Sequence, residues 1–201
     1  MTLNLRNITC ARGDTVLCRG LNMKAARGEV VLVRGPNGSG KTSLLRLIAG
    51  LLRPAEGDVQ WSSEDADPLS LMTHYLGHLD ALKPALTVRE TLEFWKDLLG
   101  GRDVQDAIEA WHLDALADLP CGILSAGQRR RVALARLDLA PRPLWLLDEP
   151  TGPLDDAGVA LVENAVRRHC REGGIAIIAT HRSLGLGETQ AVDLSAKGQS
   201  Q

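Results

Sequence analysis

The chain has 201 residues, of which 44% are hydrophobic and 24% charged, and its formal net charge is -2. This length suits one domain that buries enough apolar surface to fold without disulfides or metals. The nearly balanced charge excludes a broad basic field, so composition predicts no nucleic-acid partner and no direct attraction to an anionic bilayer.

The N-terminal part of the chain predicts an antiparallel edge. Leu3–Thr9 and Leu21–Lys24 have the pattern of two strands, and the turn-rich Ala11–Asp14 separates them. Met1–Arg6 lacks the charged, apolar and small-residue pattern of a signal peptide, and no apolar run approaches the roughly eighteen residues of a membrane span. Any membrane role is therefore expected to depend on a partner.

Three apolar segments predict the core of a parallel sheet: Val30–Val33, Leu144–Leu147 and Ile175–Ala179. Their continuous apolar and β-branched composition is typical of strands that are covered on both faces. Short strands alternate with helical stretches along the chain, which is the pattern of an α/β layer structure.

A glycine-rich segment directly after the first of these strands matches the phosphate-loop pattern G-x-x-x-x-G-K-[ST]. It consists of Gly35, Pro36, Asn37, Gly38, Ser39, Gly40, Lys41, Thr42 and Ser43. Its glycines allow a concave nest of backbone N–H groups at a helix N-terminus, which binds phosphate oxygens. Lys41 suits the β- and γ-phosphates of ATP, and the Thr42 hydroxyl suits Mg²⁺. A plain glycine-rich turn is the alternative, but the preceding strand and following helix favour a nucleotide site.

A helical region is predicted over about residues 84–141. Thr87–Glu90 has the sequence of a capping box, and it opens a helix that runs to about Leu99 and stops at Gly100–Gly101. Another helix is predicted over about Asp103–Trp111. We therefore expect a helical subdomain inserted between the strands of the sheet.

A motif inside this helical region points to a family. It consists of Leu124, Ser125, Ala126, Gly127 and Gln128, which resemble the LSGGQ signature of ABC ATPases. Kinases, G proteins and helicases also contain phosphate loops, so this segment decides among them. Independently, Ser125 suits the N-cap of a helix over Ala126–Leu139, whose positive dipole end can meet a phosphate.

This resemblance implies an α/β fold: a P-loop NTPase of the ABC type with a mixed central sheet, an antiparallel β edge and an inserted α-helical subdomain. Residues 1–201 would form a single nucleotide-binding domain, with 1–83 and 142–201 as a RecA-like core with the β edge and about 84–141 as the signature subdomain. In that family the signature faces ATP held by a second copy, so the resemblance also implies a head-to-tail ATP-sandwich dimer.

Two carboxylates follow the strand Leu144–Leu147 at its carboxyl end, where ligands bind in parallel sheets. Asp148 is placed to hold Mg²⁺ through water, and Glu149 to deprotonate the water that attacks the γ-phosphate. Alone, an acidic pair after a strand is more often a helix cap. After a phosphate loop, the pair favours ATP hydrolysis.

Single residues give weaker matches to the same family. Gly152–Asp155 occupies the place of a loop whose aspartate, here Asp155, communicates across the dimer, although its first two positions depart from the usual pattern. His181 follows the strand Ile175–Ala179 and matches the histidine that contacts the γ-phosphate. We expect Lys41, Glu149 and His181 to act together in catalysis.

Two features of the family are not evident in this sequence. One is an aromatic residue near Arg12 that stacks on adenine, and the other is a glutamine shortly after Tyr75–Leu76. Asp80, directly after Leu79 at the glutamine's place, is a hypothetical substitute that would contact Mg²⁺ through water. A helix-capping or solvated aspartate is the alternative.

Several side chains carry no motif. A solvated helix face, in preference to nucleic-acid contact, is predicted for Arg129, Arg130, Arg131 and Arg136. Structural roles are predicted for His74, His78, His112 and His169. Free thiols in a reducing compartment are predicted for Cys10, Cys18, Cys121 and Cys170, which form neither a zinc cluster nor a haem-attachment pattern.

A narrower resemblance is to the ATPase subunit of the cytochrome c biogenesis system, also called the haem exporter. The stretches that carry it are Tyr75–His78, Leu82–Thr87, Leu124–Leu137 and Pro143–Pro150. It implies a peripheral subunit on the cytoplasmic face of the bacterial inner membrane, with ATP and Mg²⁺ as cofactors and a polytopic permease of the cytochrome c maturation complex as partner. Another small ABC exporter, a soluble ABC ATPase and a degenerate nucleotide-binding regulator are the alternatives.

Overall fold

The structure, a computed structural model, describes residues 1–13, 15–62 and 68–195. Asp14 of the predicted turn and positions 196–201 of the predicted core lie outside the described residues. The chain divides into unit 1, with Met1–Gly77, Pro143–Glu149 and the chain from Val166, and unit 2, with His78–Arg142 and Pro150–Ala165. The predicted helical region, 84–141, falls within unit 2. Its boundaries and the single-domain organisation stay predictions.

Unit 1 contains a three-stranded antiparallel sheet with the strand order β2-β1-β4. Its strands are β1 (Thr2–Arg12), β2 (Thr15–Ala26) and β4 (Glu56–Ser62). The two predicted edge strands are confirmed, and both are longer than expected. Register shifts between β1 and β2 interrupt the alternation of buried and exposed side chains, so the sequence pattern understates the strand lengths.

A five-stranded parallel sheet, with the order β5-β6-β7-β3-β8, also lies in unit 1. Its strands are β3 (Val30–Arg34), β5 (Thr73–Leu76), β6 (Leu144–Asp148), β7 (Ile175–Ala179) and β8 (Gln190–Asp193). The three predicted core strands are confirmed as β3, β6 and β7. Every residue of β6 and β7 is buried, as expected for the apolar runs Leu144–Leu147 and Ile175–Ala179, and Asp148 at the end of β6 is buried with them.

Helix α1 (Lys41–Ile48) follows β3 through the glycine-rich loop. The apolar side chains that it buries are Leu44, Leu45, Leu47 and Ile48. They join one hydrophobic core with residues of β1, β3, β6 and β7, for example Leu3, Val31 and Ile177. This packing anchors the first turn of α1 at the carboxyl end of the parallel sheet.

Unit 2 is mainly helical. Its helices are α2 (Val88–Leu99), α3 (Val104–Ala110) and α4 (Ala126–Leu139). The predicted capping box is present, because the Glu90 N–H donates to the Thr87 hydroxyl and the Thr87 N–H donates to the Glu90 carboxylate. Gly100 ends α2 with a φ of 70°, a conformation that glycine adopts without strain. The predicted helices are therefore confirmed, with ends that shift by no more than a residue.

Helix α5 (Asp156–Arg171), between β6 and β7 in the sequence, was not predicted. Near its end, the His169 ring stacks on Trp145 with ring centroids 4.0 Å apart, and its Nε2 contacts the Ile175 carbonyl at 3.2 Å. The structural role predicted for His169 is thereby confirmed. Across the part of the chain that the structure describes, none of the helices has both the length and the apolar character for a membrane span.

Candidate functional site

The loop between β3 and α1 has the backbone shape that its glycines predict. Gly35, Gly38 and Gly40 have φ values of 144°, 81° and 102°, which residues with a Cβ rarely adopt. A Cβ on Gly40 would also lie 2.8 Å from the Cβ of Leu17. Glycine is therefore required here both by conformation and by close packing.

Lys41 is buried, with 7% of its surface exposed. Its Nζ donates to the carbonyl oxygens of Gly35 at 2.8 Å and Pro36 at 3.2 Å, both in its own loop. The hydroxyl of Ser39 is buried and has no hydrogen-bond partner among the described residues. The Lys41 ammonium is buried against neutral carbonyls, and a phosphate would supply the negative charge it lacks there. A phosphate oxygen would also accept a hydrogen bond from the Ser39 hydroxyl. This loop therefore fits a nucleoside polyphosphate.

Thr42 and Asp148 come together although they are 106 residues apart in the sequence. The Thr42 hydroxyl donates to Asp148 Oδ2 at 2.7 Å. Hydroxyl and carboxylate oxygens are the ligands that Mg²⁺ prefers, and Mg²⁺ normally keeps water and phosphate oxygens in its other positions. The pair therefore fits an Mg²⁺ site that the nucleotide completes. Residues 1–13, 15–62 and 68–195 contain no group of three or more His, Cys, Asp or Glu side chains that could by itself hold a metal ion.

Glu149 and His181 follow neighbouring parallel strands, since Asp148 of β6 pairs with Ala179 of β7. His181 Nδ1 lies 3.1 Å from Glu149 Oε1. The Glu149 side chain is 18% exposed, whereas that of His181 is 73% exposed. A mostly buried carboxylate and an accessible imidazole in contact can hold and move a proton at the open end of the sheet.

The backbone of Glu149 has an unusual conformation. Its φ is 46°, in the left-handed region that non-glycine residues seldom occupy. On one side, its N–H donates to the carbonyl of Ala179 at 2.8 Å. Such a conformation persists only where surrounding contacts determine it, and it is found often at active sites.

The signature segment forms the N-terminus of α4. Ser125 accepts from the Gln128 N–H at 3.2 Å, and the Ser125 N–H donates to Gln128 Oε1 at 2.8 Å. Ser125 is therefore the predicted N-cap, and Gln128 completes a capping box that the sequence analysis did not identify. A Cβ on Gly127 would lie 3.0 Å from the Pro153 carbonyl, so the backbone approaches closely there. Leu124 is buried, while Ser125 and Ala126 are exposed.

Asp155 precedes α5 and accepts from the Gly158 N–H at 2.8 Å. This is the geometry of a helix N-cap, which a carboxylate supplies well. Its side chain otherwise reaches an exposed position. A role in communication between subunits stays a prediction.

The solvated face predicted for the arginines of α4 is wrong for Arg130 and Arg136, which are buried, whereas Arg129 and Arg131 are half-buried. Arg130 is 2% exposed and Arg136 is 9% exposed. Arg129 donates to the Leu124 carbonyl, and Arg131 donates to the carbonyls of Trp111 and His112. Burial lowers the pKa of the Arg136 guanidinium to about 10. All four arginines pack against unit 2 itself.

Arg130 pairs with Asp80, the residue proposed as a substitute for the missing glutamine. Arg130 Nη1 lies 3.0 Å from Asp80 Oδ1, and the Asp80 side chain is 23% exposed. This pairing favours a role in an internal ion pair over a solvated or helix-capping aspartate. Spacing along α4 could have indicated it, because Arg130 stands at the helical interval before the buried Ala133, Leu134 and Leu137.

Comparison with known proteins agrees with this geometry. The ABC transporter family profile matches residues 18–152. The cytochrome c biogenesis ATP-binding export protein CcmA of Bradyrhizobium diazoefficiens is 51% identical over 189 residues, covering 92% of this chain and 94% of that protein. CcmA of Paramagnetospirillum magneticum is 43% identical over 203 residues, covering 96% and 94%.

Solved structures show the same fold. An ABC transporter ATP-binding protein from Pyrococcus furiosus has a TM-score of 0.84 and 26% identity, covering 96% of this chain and 98% of that one. A bacterial ABC transporter cassette solved as a dimer has a TM-score of 0.75 and 26% identity, covering 90% and 88%. The predicted fold class is confirmed. The chain therefore belongs to the ABC transporter family, and it is an ATP-binding ATPase of that family.

Proposed function

We propose that this chain is the energy-coupling subunit of a bacterial inner-membrane complex for c-type cytochrome biogenesis. The observation that carries the proposal is a set of contacts at one end of the parallel sheet in unit 1. Lys41 donates to carbonyls of the phosphate loop, the Thr42 hydroxyl donates to Asp148, and the His181 ring contacts the Glu149 carboxylate. The curated relatives supply the cellular context, because their names join ATP binding, export and cytochrome c biogenesis.

The proposal gives each residue at this site a stated role. Lys41 exchanges its carbonyl partners for the β- and γ-phosphates, and the Ser39 hydroxyl takes a phosphate oxygen as its acceptor. Thr42 and Asp148 would hold Mg²⁺, which would supply positive charge beside the phosphates. Glu149 accepts a proton from the attacking water, and His181 contacts the γ-phosphate and keeps the Glu149 carboxylate oriented.

The other predicted residues act through a second copy of the chain. The helix N-terminus at Ser125 presents backbone N–H groups and a positive dipole end, both of which attract phosphate. In a head-to-tail dimer, Leu124–Gln128 of one copy would contact the ATP bound by the other, and Asp155 would lie near the shared boundary. The dimeric cassette among the similar structures supports this arrangement.

The membrane assignment rests on the relatives and on the sequence resemblance. In the proposal, a polytopic permease of the cytochrome c maturation complex binds this subunit on the cytoplasmic face of the inner membrane, and the complex handles haem. ATP binding closes the dimer and hydrolysis opens it, because the nucleotide has different affinities for the two states.

The decisive experiment measures ATP hydrolysis by the chain in membranes that contain its permease. Glu149→Gln removes the proton acceptor, so we expect the turnover rate to fall by about 100-fold or more while Mg-ATP affinity stays within a few-fold of the original. Glu172→Gln, at an exposed position of the same charge, is the matched control and should keep the original rate.

The same material separates the alternatives. Full hydrolysis by Glu149→Gln would contradict the proposed chemistry. If the chain hydrolyses ATP fully but is never recovered in the membrane fraction, with or without the permease, a soluble ABC ATPase is favoured. If the chain is recovered in membranes but Glu149→Gln leaves c-type cytochrome levels in cells unchanged, another small ABC exporter is favoured.

A further inference from the structure

Unit 2 contains a guanidinium that the proposed catalytic chemistry does not use. Arg130, in the second turn of α4, is 2% exposed. Its Nη1 lies 3.0 Å from Asp80 Oδ1, and its Nε donates to the Pro150 carbonyl at 3.1 Å. A charge this deeply buried is tolerated only when it is paired and hydrogen-bonded.

The two partners come from distant parts of the sequence. Asp80 precedes Arg130 by 50 residues and Pro150 follows it by 20. The planar guanidinium presents its donors in a fixed fork, so it sets the direction of both contacts at once. Arg130 therefore connects the signature helix α4, to which it belongs, with two other segments of unit 2: the loop at Asp80 and the chain that begins at Pro150.

Pro150 matters because a peptide bond joins it directly to Glu149. The φ of Glu149 is 46°, and its N–H is held by the Ala179 carbonyl at 2.8 Å. The residue that follows Glu149 is Pro150, and its carbonyl accepts a hydrogen bond from Arg130. Backbone contacts thus constrain the chain just before and just after the strained residue, as a left-handed non-glycine conformation requires.

We propose that Arg130, oriented by Asp80, is a positioning residue for ATP hydrolysis: it holds the Pro150 carbonyl and through it the backbone of Glu149. Asp80 thereby takes a place in the hydrolytic machinery as the counter-ion of Arg130, and the pair links the loop at Asp80 and the signature helix to the general base. This inference rests on the proposed function of Glu149.

The first test is a set of single substitutions in the membrane-bound complex at saturating ATP. Arg130→Lys keeps the charge and loses the fork, so Asp80 stays paired while the Pro150 contact is lost. We expect a turnover rate about 10-fold to 100-fold lower, with KM for ATP and the Kd for Mg-ATP changed less than threefold. Arg131→Lys is the matched control, because the neighbouring Arg131 donates to the carbonyls of Trp111 and His112. It should keep the rate.

The second test asks whether Arg130 acts through Glu149. Single-turnover phosphate release is measured for Arg130→Lys, Glu149→Gln and the double variant. If Arg130 works by orienting Glu149, the double variant is no slower than Glu149→Gln, because the base it would orient is absent. If the two effects multiply, Arg130 has only a structural role and the inference is overturned.

Asp80→Asn keeps the proposal testable if Arg130→Lys fails to fold. It retains an acceptor oxygen and removes the charge, so we expect a loss of turnover in the same direction, again absent in the Glu149→Gln background. Normal turnover in a folded Asp80→Asn protein would overturn the inference. A failure of the proposed function is distinguishable, since Glu149→Gln alone would then leave hydrolysis unchanged.

Discussion

Lys41 in unit 1 and Arg130 in unit 2 are both buried cations, and they differ in their partners. In unit 1, Lys41 contacts carbonyl oxygens of its own loop, and no carboxylate among the described residues pairs with it. In unit 2, Arg130 has the carboxylate of Asp80 at 3.0 Å. Among the described residues, Lys41 therefore has no counter-ion, whereas Arg130 has Asp80.

This difference separates a group that is open to an anionic ligand from a group that is already paired within the fold. A buried ammonium without a counter-ion is costly to the fold, and an anionic ligand can recover that cost when it binds. A buried guanidinium with a carboxylate partner is already compensated, so its loss affects the fold and whatever the fold positions. Substitutions at the two sites should consequently differ in which quantity they change.

The largest effect is expected when Lys41, the buried cation of unit 1, is replaced. Lys41→Met should weaken Mg-ATP affinity about 100-fold, since a charge-assisted contact with phosphate contributes about 3 kcal/mol. Without nucleotide, its melting temperature should be unchanged or higher, because an uncompensated buried charge is gone. Titration calorimetry with ATP and thermal unfolding without it check the two expectations.

Lys24→Met, at an exposed position of β2, is the control for the loss of a lysine. It should keep both the affinity and the melting temperature. An apo protein that melts well below the original after Lys41→Met would show that Lys41, like Arg130, stabilises the fold without nucleotide, and the contrast between the units would be lost.

A smaller effect is expected when the counter-ion in unit 2 is removed. Asp80→Ala leaves the Arg130 charge buried and uncompensated, so the free energy of unfolding should fall by about 2 kcal/mol. This is less than for a fully buried pair because the Asp80 side chain is 23% exposed. Urea unfolding without nucleotide is the measurement.

Asp118→Ala is the matched control, because Asp118 is 91% exposed and pairs with Arg89 only at the surface. Its unfolding free energy should change by less than about 0.5 kcal/mol. Equal losses for the two variants would mean that burial of Arg130 adds nothing to the pair.

The smallest expected effect concerns the thiolate of Cys18 in unit 1. Cys10 and Cys18 are directly opposite each other on β1 and β2, and a hydrogen bond from Cys10 lowers the pKa of the Cys18 thiol from 9.0 to about 7. The hydrogen bond from Cys10 therefore favours the thiolate of Cys18, and Cys10→Ala should raise the pKa of the Cys18 thiol again. We expect alkylation of Cys18 at pH 7.5 to slow about threefold, since a more basic thiolate is scarcer but more nucleophilic.

Peptide mass spectrometry after timed alkylation measures this rate for each cysteine. Cys170 is an internal control, because burial raises the pKa of its thiol to about 11 and it should stay unreactive in both proteins. An unchanged Cys18 rate in Cys10→Ala would mean that a neutral donor does not stabilise this charge.

Local patterns were enough to predict much of the fold and to select the candidate site residues. The phosphate loop, the capping box at Thr87 and the buried strands depend on neighbours within a few residues, so their signals survive in the sequence. The signature segment and the pair Asp148 and Glu149 are recognisable for the same reason. The missed strands β4, β5 and β8 lack an unbroken apolar run. The missed helix α5 follows Asp155, whose N-cap signal was assigned to communication between subunits.

Only the tertiary structure decided which charged side chains are buried and with whom they pair. The three consecutive arginines of α4 look alike in the sequence, yet only Arg130 among them is fully buried, because the segments at Asp80 and Pro150 pack around it. The contact of Thr42 with Asp148 likewise spans 106 residues. The sequence alone determined the phosphate loop and the helix ends, since these form from adjacent residues, whereas pairing across such distances exists only after the chain has folded.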